Sequence, residues 1–202
     1  MLATFFSSIL VMIAVIDPLG SIPVYLEATK KYDLKRRKKI AINASCIAYG
    51  VLLFFIVVGQ LILDSMAVSL EAFQISGGVI LFLFAISMVL GESKPESEMH
   101  LIMDYKKVTI FPVALPSIAS PGAILAVVLM TDNHLYSLPE QIVTSLLLLI
   151  VIAITCEVLL ISNRIQKSIG EGGIIVISKV MGLILAAYAA QSILNGIQAF
   201  FF

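Results

Sequence analysis

Apolar residues run along this chain in blocks of about 20, and the polar residues are gathered into the short stretches between them. A helix needs about 20 apolar residues to cross the hydrocarbon core of a bilayer. Windows at roughly 2–26, 40–63, 73–91, 109–130, 140–162 and 174–197 meet that length. They use nearly all of the 202 residues, so the pattern predicts an all-α membrane protein of six spans, a single transmembrane domain over 1–202. Two of the blocks carry the same interruption. The first contains Asp17-Pro18-Leu19-Gly20-Ser21-Ile22-Pro23, and the fourth contains Pro116-Ser117-Ile118-Ala119-Ser120-Pro121-Gly122. A proline inside a helix removes a backbone donor and clashes with the preceding turn, so a close pair with glycine nearby predicts that spans one and four are discontinuous. Unwound backbone survives in lipid only where it is buried in protein or lines a cavity. Two such interruptions in corresponding positions point to a transporter's binding site.

Composition agrees with the pattern: 60% of residues are hydrophobic and 13% charged, with a mean hydropathy of +1.07. The first lysine is Lys30, so the N-terminal block lacks the basic region of a secretory signal and is expected to remain as a span. Cys46 and Cys156 both fall inside predicted spans, where they read as small packing residues rather than a disulfide. All thirteen basic residues lie in or beside alternate loops: Lys30, Lys31, Lys35, Arg36, Arg37, Lys38 and Lys39; Lys94, Lys106 and Lys107; then Arg164, Lys167 and Lys179. The positive-inside rule places those loops in the cytoplasm and both termini outside. The Lys35–Lys39 cluster reads as a topology determinant and lipid-leaflet anchor, with no nucleic-acid partner implied.

Under that topology spans one and four run in opposite directions. A shift of 98 residues carries Pro18 and Pro23 onto Pro116 and Pro121, and a shift of 104 carries Gly78-Val79-Ile80-Leu81 onto Gly182-Leu183-Ile184-Leu185. Three spans duplicated give inverted topology. The chain therefore divides into repeat one at about 1–91, a cytoplasmic linker at about 92–107 and repeat two at about 108–202.

A zwitterion at the bilayer midplane brings an ammonium and a carboxylate, each costly to bury unless paired or hydrogen-bonded. Helix ends at a break supply free amides and carbonyls for both. The helix after Pro121 offers N–H groups to a carboxylate, with Gly122 allowing close approach, while Asp17 and the carbonyls before Pro18 suit an ammonium or a coupling cation. The site predicted from these arguments is Asp17, Pro18, Gly20, Ser21 and Pro23 from one break, with Pro116, Ser117, Ser120, Pro121 and Gly122 from the other. An intramembrane carboxylate favours a substrate or coupling role for Asp17, against its reading as a helix cap before proline. Glu157 reads as a residue that snorkels or pairs near Arg164; Gln60, Gln74 and Gln191 read as packing or interfacial amides; Gly77, Gly78 and Gly182 as points of close helix approach. His100 and His134 fit no metal or catalytic spacing.

These segments resemble the MarC family. The resemblance rests on Asp17 through Tyr25, Ser76-Gly77-Gly78-Val79-Ile80-Leu81-Phe82-Leu83, Ala114 through Ile124, and Lys179 through Ala187, in order along the whole chain. It implies a six-helix inner-membrane carrier of small neutral amino acids such as glycine, alanine or serine. The family often has Asn where this chain has Ser21 and Gly where it has Ser120. No motif for nucleophilic, metal-dependent or nucleotide-driven chemistry is present in the sequence, so an enzyme is not expected and transport would be secondary, coupled to H+ or Na+ without a cofactor. The alternatives are export of another small solute, or a channel or scaffold that transports nothing. Saturable, gradient-dependent uptake separates these.

Overall fold

The computed structural model describes residues 2–65, 69–91, 105–133 and 136–201. Among them every regular element is helical: α1 (Leu2–Ile16), α2 (Ser21–Thr29), α3 (Leu34–Ser65), α4 (Leu70–Leu90), the short α5 (Tyr105–Val108) running into a π-helical segment (Thr109–Ile118), α6 (Pro121–Leu129), α7 (Leu138–Leu160) and α8 (Ser162–Phe201). Five helical stretches are long and apolar enough to span a membrane, one of them Ser8–Thr29 across the Asp17–Gly20 interruption; a sixth is reached when Tyr105–Ile118 and Pro121–Leu129, bent by 55°, count as one.

Local chemistry sets the ends. At the start of α4 the Ser69 hydroxyl accepts from the Ala72 N–H at 3.3 Å, and Gly91 ends the helix with φ 89°, a conformation that costs glycine little. Before α7 the Glu140 carboxylate accepts from both the N–H and the hydroxyl of Ser137, at 2.8 and 2.7 Å.

Three layers result. The middle one holds α1, α2, the π segment and α6; α3 with α7 covers one side, and α4 with α8 the other. Met12, Val15, Ile16, Leu52, Leu81, Ile118, Leu148 and Leu185 are almost fully buried between them. The α4–α8 pair is the most extensive contact in the molecule, and glycines make it close. A Cβ on Gly78 would lie 2.7 Å from Ile193 Cγ1 and 3.2 Å from the Ala189 carbonyl oxygen. One on Gly182 would lie 2.9 Å from Met88 Cβ and 3.1 Å from the Ala85 oxygen, and one on Gly196 would lie 2.8 Å from Ile75 Cγ1. The pairing is antiparallel. Close approach was the sequence expectation for Gly78 and Gly182; at Gly77 the space is looser, with Leu129 Cδ1 at 3.5 Å. In lipid, where apolar burial alone favours no helix pair, such contact supplies the van der Waals attraction.

Two expected loops are helical instead. Lys35–Lys39 occupies the first turns of α3, with the Arg37 N–H bonded to the Asp33 carbonyl at 2.9 Å. Residues 163–169, expected to be part of the fifth loop, lie in the first part of α8, and the helical backbone breaks only at Gly170, with φ 75°. Ile161, Ile165 and Ile169 repeat every fourth residue beside Arg164 and Lys167, an amphipathic pattern too polar to register as a span. Most of the proposed linker, residues 92–104, lies outside the described residues, as do His100 and His134.

Candidate functional site

The first interruption is built around Asp17. Its backbone has φ 46°, a left-handed conformation that aspartate tolerates because its short side chain bonds locally. Here Oδ1 accepts from the Gly20 N–H at 3.0 Å and from the Ser178 hydroxyl at 3.2 Å. The carboxylate thus caps the entry to α2 and ties it to α8. Asp17 is 5% exposed, and an added Cβ on Gly20 would lie 1.8 Å from Asp17 Oδ2, so glycine at this position makes room for the carboxylate. The sequence reading of the cap needs one change. The helix does not start at Pro18 but at Ser21, which leaves buried Pro18 in the turn and half-buried Pro23 in the first turn of α2, where its missing N–H costs nothing.

The second interruption is larger than predicted. Phe111 (φ −127°, ψ 123°) and Leu115 (φ −128°, ψ 129°) are extended, each directly before a proline, as the clash with the proline ring requires. Pro112, outside the repeated motif, thus takes part in a disruption that the sequence reading began at Pro116. Ser120 (ψ 158°) caps α6 by accepting from the Ala123 N–H at 3.0 Å, with Pro121 at the first helical position. Pro121 is exposed and Pro116 half-buried, whereas most of the other predicted site residues are buried.

The two interruptions meet. The Ser21 hydroxyl lies 3.1 Å from the Ser117 carbonyl oxygen and 3.2 Å from that of Asp17, and the Ser120 hydroxyl lies 3.5 Å from the Val15 carbonyl oxygen. Ser21, Ser117 and Ser120 are each under 5% exposed. Carbonyls released by the broken helices are therefore taken up by serines of the opposite break. Gly122 departs from expectation: its Cα side is closed by α4, where an added Cβ would lie 2.8 Å from Phe84 Cδ1 and 3.3 Å from Leu81 Cδ1.

No sequence signal marked Ser178, an ordinary polar residue in α8, nor Ser45 of α3, which is 3% exposed and whose hydroxyl has no hydrogen-bond partner among the described residues. Asp132, just past α6, is 1% exposed. Burial, and then the negative charges of Glu140 and Asp132, push the nearby Tyr136 phenol above its ordinary pKa. Glu157 is exposed, Gln74 is half-buried, and Gln191 bonds Asn195 of its own helix at 2.7 Å; the Gln60 side chain lies outside the described residues. Cys46 is exposed and Cys156 half-buried, both free thiols.

The sequence profile described as "MarC family integral membrane protein" matches residues 2–201. This chain belongs to the MarC family. It is 34% identical over 199 residues to a UPF0056 membrane protein of Buchnera aphidicola subsp. Schizaphis graminum, covering 96% of each chain. A UPF0056 membrane protein of Methanocaldococcus jannaschii is 33% identical, with 96% of this chain and 94% of the relative aligned. The UPF0056 inner membrane protein YhgN of Escherichia coli K12 is 31% identical over 95% of both chains. No solved structure matches. The family resemblance read from the Asp17–Tyr25 and Ala114–Ile124 segments is thereby established, and the chain is an integral membrane protein.

Proposed function

We propose that this MarC-family protein is a secondary transporter of small neutral amino acids of the glycine, alanine and serine type, working across the inner membrane with both termini outside. The observation that carries the reading is the buried meeting of the two interruptions through Ser21 and Ser117. Broken helices are costly in lipid, and bringing two of them together concentrates free helix ends of both polarities in one small space. Such a space suits a zwitterion: amides at the start of α6 for the carboxylate, Asp17 and the carbonyls of the first break for the ammonium. The residues around it, Gly20, Ser21, Ala119, Ser120 and Ala123, are all small, which suits a substrate with a small side chain.

The same reading takes the two halves as an inverted repeat, which the α4–α8 contacts support. Moving Gly78 forward and its neighbours Ala189 and Ile193 back by 104 residues gives Gly182, Ala85 and Val89, which are themselves in contact. Burial follows the same shift, with Leu81 and Ala85 matched by Leu185 and Ala189, each at 0% exposure. Two such halves rocking about a fixed midplane site would give alternating access. The deciding experiment is uptake of labelled glycine or alanine by purified protein in liposomes under an imposed H+ or Na+ gradient. Saturable accumulation is expected. Flux that neither saturates nor responds to a gradient would favour a channel, and no flux a scaffold.

A further inference from the structure

Between α7 and the long apolar part of α8 lies a short helical piece with a break at each end. Ile161 (φ −100°, ψ 9°) closes α7, and Gly170 (φ 75°, ψ 167°) takes a conformation essentially confined to glycine. The turns from Ser162 to Ile169 therefore need not follow the direction of either neighbour. With 23 residues, α7 has the length that crosses the hydrocarbon core, which puts the piece that follows it at the level of the headgroups. Ile161 and Ile169 are 45% and 47% exposed, and Ile165 between them is half-buried. Arg164 and Lys167 are exposed as well. Arg164 stands three positions from both Ile161 and Lys167, so the three form one row along the helix, beside the isoleucines. The two cations are left without a counter-charge. Lys30 is paired with Glu27, and Arg36 lies 3.7 Å from Asp33, whereas Arg164 and Lys167 form no ion pair among the described residues.

We propose that Ile161–Ile169 is a binding site for anionic phospholipid, separate from the site at the two interruptions. The isoleucines enter the upper acyl region, and Arg164 and Lys167 hold the headgroup phosphate, the guanidinium by two parallel hydrogen bonds. Charge complementarity selects the lipid. A zwitterionic headgroup brings its own ammonium, which competes for the phosphate and repels the two cations, while a headgroup of net negative charge leaves the phosphate to them.

The chain contains no tryptophan, so a single reporter works against a silent background. Ile161→Trp protein is reconstituted into phosphatidylcholine vesicles in which a fixed fraction of the lipid, either phosphatidylglycerol or phosphatidylcholine, carries brominated chains that quench indole fluorescence. Quenching is expected to favour phosphatidylglycerol by about fivefold or more in relative binding constant at low salt, the scale that two basic groups near a charged surface supply. The preference should vanish when Arg164→Gln and Lys167→Gln are added, and be missing from Leu146→Trp, a reporter at an exposed position in the middle of α7. Equal quenching by the two lipids at Ile161, no quenching by either, a preference that survives loss of both cations, or one of the same size at Leu146 overturns the assignment. If the tryptophan variants do not fold, thermal midpoints in detergent decide. Added phosphatidylglycerol should raise that of the wild type more than phosphatidylcholine does, and an equal rise in Arg164→Gln/Lys167→Gln overturns the proposal. Both measurements read lipid contact and stand whether or not the protein carries amino acids.

Discussion

At Asp17 the observed cap and the proposed coupling role fall on one carboxylate, and a single substitution separates them. Asparagine keeps an oxygen for the Gly20 N–H and tolerates φ 46°, but removes the charge. Asp17→Asn is therefore expected to keep its thermal midpoint in detergent within about 1 kcal/mol of wild type, a cap-sized effect. Its gradient-driven accumulation should fall by roughly 5- to 150-fold, the span of ordinary coupling energies. Accumulation as steep as wild type would reduce Asp17 to a cap. Ser120→Ala tests the other break: losing the cap on Ala123 should cost about 0.5–2 kcal/mol in thermal or denaturant unfolding, with no loss at all meaning that the α6 start is held by other contacts. Both residues were legible because proline, glycine and capping side chains act on backbone within a few positions. Ser178 and Phe84 were not. The first reaches Asp17 across 161 residues of sequence, the second sits in an unbroken apolar run, and neither leaves a local mark on the chain. Pro112 was visible in the sequence but lies outside the repeated motif.

Among the helices, the α4–α8 pair makes the sharpest forecast, because glycines there differ in what surrounds them. Gly78→Val and Gly182→Val force side-chain atoms into the facing backbone and should each destabilise by about 1–3 kcal/mol in detergent melts. Gly50, in α3, has nothing within 4 Å, and Gly50→Ala should instead stabilise by about 0.5–1 kcal/mol through a less mobile unfolded chain. Equal effects at all three positions would show that helix propensity, not contact, governs these glycines. Hydropathy located each long apolar helix but placed the starts of α3 and α8 too late. Windows of apolar content respond to lipid solubility, whereas Lys35–Lys39 are good helix formers and residues 163–169 are helical with only Ile165 and Ile169 apolar.

For the molecule as a whole, the charge asymmetry predicts an orientation that cysteine labelling can check. Single cysteines in the Lys30–Lys39 segment should react with impermeant thiol reagents only after cells are opened, and cysteines near Phe200 in intact spheroplasts, each in a background without Cys46 and Cys156; the reverse pattern would invert the topology. Three layers were not legible beforehand, since periodicity reports that a helix has neighbours and not which ones. The α4–α8 seam now carries an implication of its own. Gly78 meets α8 much as Gly182 meets α4, so if the halves exchange shapes during a cycle, the seam presents the same surfaces before and after and favours neither end of the motion. A carrier hinged on such a seam is a balance with equal arms: its Michaelis constants measured from the two faces of the membrane should agree within severalfold, and the direction of net flow belongs to the gradients rather than to the protein.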